Sequence, residues 1–432
     1  MSFYGKRGGG PMTHIKKLKS YGQEYSTIIK NSILMRIIAA GFISALGSKI
    51  SYFALLRKVY ILSNGKITDL GFLTIMEALP YMLFGAFAGI IIDKLPRKWI
   101  MAFSDIMCAL VVVSLIFVNN LKLIYIITFL KSSVYVFRNP AQSAMEPNLV
   151  NQEDVPLLNS FESSVNSITQ IIGSALGAAV VGFVGVKNAF IIDSASFIVS
   201  AVIIGTIFVK EEHVHNNKMM VKGRYLREFV SGISIMWKDG SLKLMLLIDL
   251  FVTFAMAMQA PLIYIFLKET LKLGDRAELV WGILLSSLGV GAILGSLVIG
   301  ILVKRYKNRF KLFLNILLFD SMFFTMFILN RVLPLSVVIF AFLGCIGTAH
   351  MIILNTVIQN TASDEHRGKV FSTFAMLRSP ISIISILIGT TAAEFITARN
   401  VLLIVAGIEA LIALGVRFTS TYRSFDRTSK GI

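Results

Sequence analysis

The chain is 432 residues long, 55% hydrophobic and only 15% charged, with a mean hydropathy of +0.75, which excludes a soluble globular domain and points to a polytopic helical membrane protein. Its formal charge of +18 does not mark a nucleic-acid binder, because the basic residues fall in short loops between apolar runs and form no patch or basic helix. Cys108 and Cys345 both sit inside apolar runs, so neither a disulfide framework nor a CxxC metal site is available.

Residues 1–33 carry Lys6, Arg7, Lys16, Lys17 and Lys19 with no apolar core of signal-peptide type, and are expected to remain as a cytoplasmic tail. A spanning helix needs roughly 20 mostly apolar residues. That ruler gives twelve stretches, near 34–61, 68–92, 98–118, 121–146, 157–184 and 187–209, then 242–267, 279–303, 310–330, 333–360, 368–394 and 399–419. The expected fold class is therefore all-α, with twelve transmembrane helices in two six-helix bundles, at 34–209 and 242–419. The linker at 210–241 is polar, and within it Leu226, Phe229, Ile233, Met236 and Trp237 recur at helical spacing among Arg224, Arg227 and Lys238. That pattern suits a short amphipathic helix on the inner membrane surface. Residues 420–432 are expected as a second cytoplasmic tail.

About 28 of the 42 Lys and Arg lie on one side of these spans, about 8 on the other and about 6 within them. The positive-inside rule makes the richer side cytoplasmic, and an even number of spans returns both termini there. The expectation is a multi-pass protein of the plasma or inner membrane, monomeric, with no cofactor and no metal.

Residues 89–98 read GIIIDKLPRK, with Gly89, Asp93, Lys94, Arg97 and Lys98 between two apolar runs. This turn resembles the signature loop between the second and third helices of the major facilitator superfamily, with Pro96 where that family has glycine. The segment from 295 to 309, GSLVIGILVKRYKNR, stands at the same place in the second half, with Lys304 where Asp93 stands and with Asp105 and Asp320 following 12 and 16 residues further on. NPAQSAMEPNLV (139–150), LLNSFESSVNSITQIIGSALGA (157–178), AFIIDSASFIVSA (189–201) and HRGKVFS (366–372) are similar to the macrolide-efflux and siderophore-exporter branch of that superfamily. The resemblance implies a substrate cavity between two rocking bundles, efflux as the direction, and a gating role in which Asp93 meets the inner end of the eleventh helix. A helix N-terminus offers partial positive charge there.

Ionisable groups inside spans cost about 2.5 to 3.5 kcal/mol each at the centre, so each calls for a partner or a wet cavity. Lys49, Glu77 and Lys131 share one depth to within about a helical turn, and form a candidate cluster in which Glu77 exchanges a proton against a competing cation. A static ion pair between helices is the alternative. Lys131 also lies near the place where the resemblance puts a helix-four arginine. Asp249 and Arg378 are a candidate pair at a bundle interface, and His350, inside a span, suits either a proton relay or a packing role. Asp105, Asp320 and Glu409 are central, with their facing open. Gly85, Gly173, Gly177, Gly291 and Gly295 fit close helix packing.

The chain has no GxxxxGK[ST] loop, HExxH or GxSxG, so a nucleotide-driven pump or a hydrolase has no motif to stand on. The reading is a secondary transporter, not an enzyme, exporting hydrophobic or amphipathic small molecules such as a macrolide-like drug or a siderophore against protons. Its partners are substrate, protons and the lipid bilayer. A lipid or lysophospholipid flippase of the same fold is one alternative, and a non-transporting membrane receptor or scaffold is another.

Overall fold

The computed structural model describes residues 26–92, 94–209, 224–305, 308–362 and 364–419. The first bundle holds α1 (Ser32–Leu62), α2 (Ile67–Ile92), α3 (Arg97–Ser114), α4 (Leu121–Met145), α5 (Val155–Phe183) and α6 (Val186–Gly205). A connecting helix α7 (Arg224–Lys238) follows. The second bundle holds α8 (Gly240–Ala257), α9 (Gln259–Ile265), α10 (Ala277–Arg305), α11 (Arg309–Leu329), α12 (Leu333–Thr361), α13 (Asp364–Ile396) and α14 (Ala398–Gly415). This is an all-helical membrane protein.

Local chemistry sets many of the helix ends. Asn31, Asn120 and Asn308 each accept hydrogen bonds from backbone N–H groups in the first turn of α1, α4 and α11, donors a helix leaves without an internal partner. The α5–α6 turn passes through Gly185 at φ +90, a conformation glycine adopts without a Cβ clash.

Among the described residues ten segments are long and apolar enough to cross a bilayer. The helices α3 and α4 fall outside that set: α3 carries Arg97, Lys98 and Asp105, and α4 carries Lys122, Lys131 and Arg138. Both nevertheless pack inside the first bundle, α3 on α4 and α6, and α4 on α2. Their charges lower the hydropathy, and those of Arg97, Lys98, Asp105, Lys131 and Arg138 find partners within the bundle.

The seventh expected span is not continuous. It breaks at Met258 between α8 and α9 and ends in a π turn over Phe266–Thr270. Pro261 lacks the N–H that would continue the ladder back to Ala257. On the other side of the break, Gly389 of α13 lies against the Met258 side chain. The connecting helix α7 is seated on protein: Gly232 lies against Thr373 and the Lys369 carbonyl of α13, and Met236 is fully buried beside Leu242 and Met245 of α8. Leu226 and Phe229, on the expected apolar face, have side chains outside the described residues.

Small residues set the closest helix approaches. Gly173 and Gly177 of α5 lie on Lys49 of α1, Gly291 of α10 on the backbone of Ala341, and Gly295 on the backbone of Cys345 in α12. A side chain at either α10 position would push two backbones apart. Gly85 differs: among the described residues a Cβ there would meet nothing within 4 Å, so no close helix approach depends on it.

Candidate functional site

The ends of the helices that carry the Lys94–Lys98 turn form the basic face of the molecule. Between the bundles, side-chain contacts among the described residues gather in the half away from that face. Thr68 of α2 donates from its N–H and hydroxyl to Glu394 of α13 at 3.1 and 3.2 Å, and one turn further in Gly71 lies against Thr390. On the other seam Gly282 of α10 lies on Ser174 and Ala178 of α5, and the Ser286 hydroxyl donates to the Ile171 carbonyl at 2.6 Å.

A buried ionic cluster tightens the same half. Lys268 sits 3.1 Å from Glu278, which also accepts from the Tyr264 hydroxyl at 2.6 Å. The Lys268 ammonium lies 4.3 Å from the ring centroid of Tyr60, which belongs to the other bundle, within the range of a cation–π contact. Arg57 of α1 reaches Asp275 at 3.1 Å. None of these residues stood among the sequence candidates.

Nearer the basic face the bundles part. Asn159, Glu162, Ser163, Asn166, Ser167 and Gln170 of α5 form one wall of a cavity of about 460 Å³, and Leu288, Gly289 and Ala292 of α10 form the other. The α5 wall repeats at three and four residues, so one helical stripe presents only polar groups to the cleft.

Of the mid-bundle candidates, Glu77 lies within electrostatic reach of both Lys131 and Lys49. The direct partner of Lys131 is different: its ammonium donates to Asp193 of α6 at 3.2 Å. Asp193 went unnoticed in the sequence because the serine and alanine residues around it give no sign of which face of α6 is buried.

The helix-four arginine of this chain is Arg138, two helical turns beyond Lys131 on the same face of α4. It is almost fully buried, donates from Nε to Asp105 of α3 at 2.7 Å and from Nη2 to the Ser200 hydroxyl of α6 at 3.3 Å. Ser200 donates in turn to the other Asp105 oxygen at 2.6 Å. From Arg138 the chain continues along α4, since Nη1 donates to Gln142 at 2.8 Å and the Gln142 amide donates to Glu146 at 2.8 Å. The i, i+4 spacing that signals such a ladder is visible in the sequence, although Arg138 stands one residue before the motif that drew notice.

Glu146 lies just past the end of α4, 1% exposed. Burial, and then the neighbouring Glu162 carboxyl, push its pKa up to about 9; a second carboxylate beside a desolvated one disfavours ionising both.

In the second bundle Asp249 of α8 and Arg378 of α13 form a two-pronged pair at 2.9 and 2.7 Å, the fork geometry that suits guanidinium and carboxylate. His350 of α12 approaches Asp249 at 3.7 Å and stacks near Phe313. All the partners belong to one bundle, so the pair ties α8, α12 and α13 together and does not bridge the two halves. The carboxyls of Asp320 of α11 and Glu409 of α14 face one another.

In the signature turn, Asp93 lies outside the described residues. Arg97 donates to the Ala144 carbonyl at 2.8 Å, and Lys98 donates to the carbonyls of Gly205 and Ile207 at 2.9 and 2.6 Å. Both cations thus sit on the C-terminal ends of α4 and α6, where unpaired carbonyls attract positive charge. Lys94 is exposed, and a Cβ on Gly89 would meet nothing within 4 Å.

Two helical bundles joined along two seams, with a polar cleft between them and buried charge inside, define a membrane transporter of the alternating-access type. Residues 37–386 match the Major Facilitator Superfamily, and the chain belongs to that family of transporters. It is 22% identical over 376 residues to macrolide efflux protein A of Streptococcus pyogenes, covering 84% of this chain and 90% of that one. It is 23% identical over 416 residues to the multidrug efflux pump Tap of Mycolicibacterium fortuitum, covering 94% and 100%. Among solved structures, the nucleoside transporter NupG superposes with a TM-score of 0.71 at 13% identity, covering 89% of this chain and 98% of that one. The protein is a secondary transporter distantly related to drug efflux pumps.

Proposed function

We propose that this protein exports hydrophobic or amphipathic small molecules from the cytoplasm by proton-coupled alternating access. The observation that carries the reading is the asymmetry of the cleft: inter-bundle contacts gather in one half, and the polar cavity opens in the other. With the basic face in the cytoplasm, as the positive-inside rule places it, the structure is inward-facing and ready to load. The two efflux relatives favour export over import, and macrolide-like drugs are the substrates they suggest.

In this reading Glu77, within electrostatic reach of Lys49 and Lys131, is the group that takes and releases a proton in mid-membrane. Asp93, on the signature turn anchored by Arg97 and Lys98, is the group that meets the inner end of α13 when the cytoplasmic side closes. Survival of cells expressing the chain against a drug panel, with and without a protonophore, tests export. Substrate-stimulated proton flux in vesicles tests coupling: a receptor or scaffold gives none, and Glu77→Gln is expected to abolish it. Drug-independent flipping of a labelled lysophospholipid would replace the export reading with the flippase one.

A further inference from the structure

Among the described residues Glu162 is the one ionisable group in the cavity wall, where its neighbours are amides, hydroxyls, glycine and alkyl groups. Behind it stands Glu146, whose carboxyl is buried. One oxygen of Glu146 accepts from Gln142, while the other, Oε2, is shielded from solvent and meets no donor among the described residues. The group against it is the Glu162 carboxyl, which satisfies a lone pair only if a proton lies between them. A buried acceptor without a donor costs about 1 to 3 kcal/mol, so the site is built to hold something positive.

Resting on the export reading above, we propose that the Glu146 and Glu162 carboxyls form a cation-recognition site at the cavity wall, which holds one shared proton when empty and the protonated amine of the exported molecule when loaded.

The charge balance supports the exchange. Empty, the pair carries one proton and one net negative charge. Loaded, two carboxylates face one ammonium, again one net negative charge, and the displaced proton leaves to the cytoplasm. No covalent bond forms or breaks other than the O–H bond that is given up. The charged groups acting on Glu146 are Glu162 from α5 and Arg138 from its own helix. Arg138 is already occupied by Asp105 and Gln142, and so offers no rival salt bridge. The Gln142 amide is held by Arg138 through its oxygen, so its NH₂ group must face Glu146, which fixes that carboxyl with its second oxygen toward α5. The rest of the wall fits the same ligand: the α5 amides and hydroxyls suit a polar head, and Leu288 and Ala292 opposite suit an apolar body.

The test uses the full chain in lipid nanodiscs and two fluorescent probes of equal size, one bearing a tertiary amine and the other the neutral amide in its place. Wild-type protein is expected to bind the amine at least tenfold more tightly at pH 7, and to release about one proton per amine bound in weakly buffered solution. Glu162→Gln should reduce the preference, read as the ratio of the two affinities in the same variant, to near unity. Glu146→Gln should keep a weakened preference but release no proton, since the glutamine amide replaces the shared hydrogen. Equal affinity of the wild type for both probes, or an amine preference that survives Glu162→Gln, overturns the proposal. Proton-coupled efflux of the neutral probe by the same variants reports on the export reading separately: retained efflux with no amine preference sinks the cation site alone, and lost efflux of both probes by the wild type sinks the reading beneath it.

Discussion

Asp105 of α3 and Asp320 of α11 stand at matching places in the two bundles, and they have opposite surroundings. Asp105 faces a guanidinium and a serine hydroxyl, and the hydrogen bonds run on from Arg138 along α4 to the basic face. Among the described residues the group facing Asp320 is another carboxyl, Glu409, and the Arg378 guanidinium of the second bundle is spent elsewhere, on Asp249. The difference lies in α4 against α12: α4 carries Lys131, Arg138, Gln142 and Glu146 on one face, whereas α12 contributes His350 alone to the charged network. A connected polar path from mid-membrane to the cavity exists in the first bundle, and the second bundle is closed on itself by a compact Asp–Arg–His contact. The polar contacts of the first half thus run toward the cavity, while the Asp–Arg–His contact of the second stays among its own helices.

Breaking the Arg138 end of that path should have the largest effect. Arg138→Ala leaves Asp105 buried without a counter-charge, and a loss of about 3 to 5 kcal/mol is expected, read as a fall in thermal unfolding temperature in detergent. Replacing both partners, Arg138→Met with Asp105→Leu, should recover most of that stability and none of the transport, which separates the pair's structural role from its place in the path. In the second bundle Arg378→Ala should cost less, about 2 kcal/mol, because Arg378 keeps 29% of its side chain exposed and His350 remains near Asp249. A larger loss than for Arg138→Ala would reverse the comparison.

Glu146 sharpens it through pH. Its folded-state pKa of about 9 lies above the ordinary carboxylate value of 4.5, so the folded state holds a proton that the unfolded chain gives up. The resulting stabilisation is full below about 4.5 and is lost as pH rises toward 9. Melting temperatures between pH 5.5 and 9 should fall for the wild type and flatten for Glu146→Gln, with Asp249→Asn keeping the wild-type slope. The smallest effect is expected at the far face, where Arg57 pairs with an Asp275 that is 83% exposed. Arg57→Ala should change stability by no more than about 0.5 kcal/mol, yet bias the bundles toward opening on that side, measured as increased cysteine accessibility at Ser63→Cys.

Much of the fold was legible because bilayer thickness and hydrophobic run length are linked by a single rise per residue. The helices α3 and α4 show the limit of that ruler: they are spans by position, yet their charges carry them below the apolar threshold, for reasons that appear only once Asp105 and Arg138 are seen to face each other. The break at Met258 was equally hidden, since Pro261 is compatible with a kinked helix as well as an interrupted one.

For the site, hydropathy identified the ionisable residues that need partners but not the partners. Lys131 and Glu77 agree in depth, and depth along the membrane normal is what a linear count measures. Rotation about each helix axis decides which groups meet, and it gave Lys131 to Asp193. Asp249 and Arg378 were matched correctly by depth, but which bundle they served depended on packing. Lys268, Glu278 and Tyr60 drew no notice because each lies near a helix end, where a charged or aromatic residue is ordinary.

The amino-acid sequence by itself determined the class of protein, an all-helical membrane protein, because that depends on composition and spacing along one dimension, and its short motifs carried the resemblance to the family. Which charges pair, which face of α5 lines the cleft, and which half of the molecule holds the bundles together were decided only in three dimensions. Helix rotation and inter-bundle tilt depend on side chains that are far apart in the chain, and small changes in either exchange one partner for another.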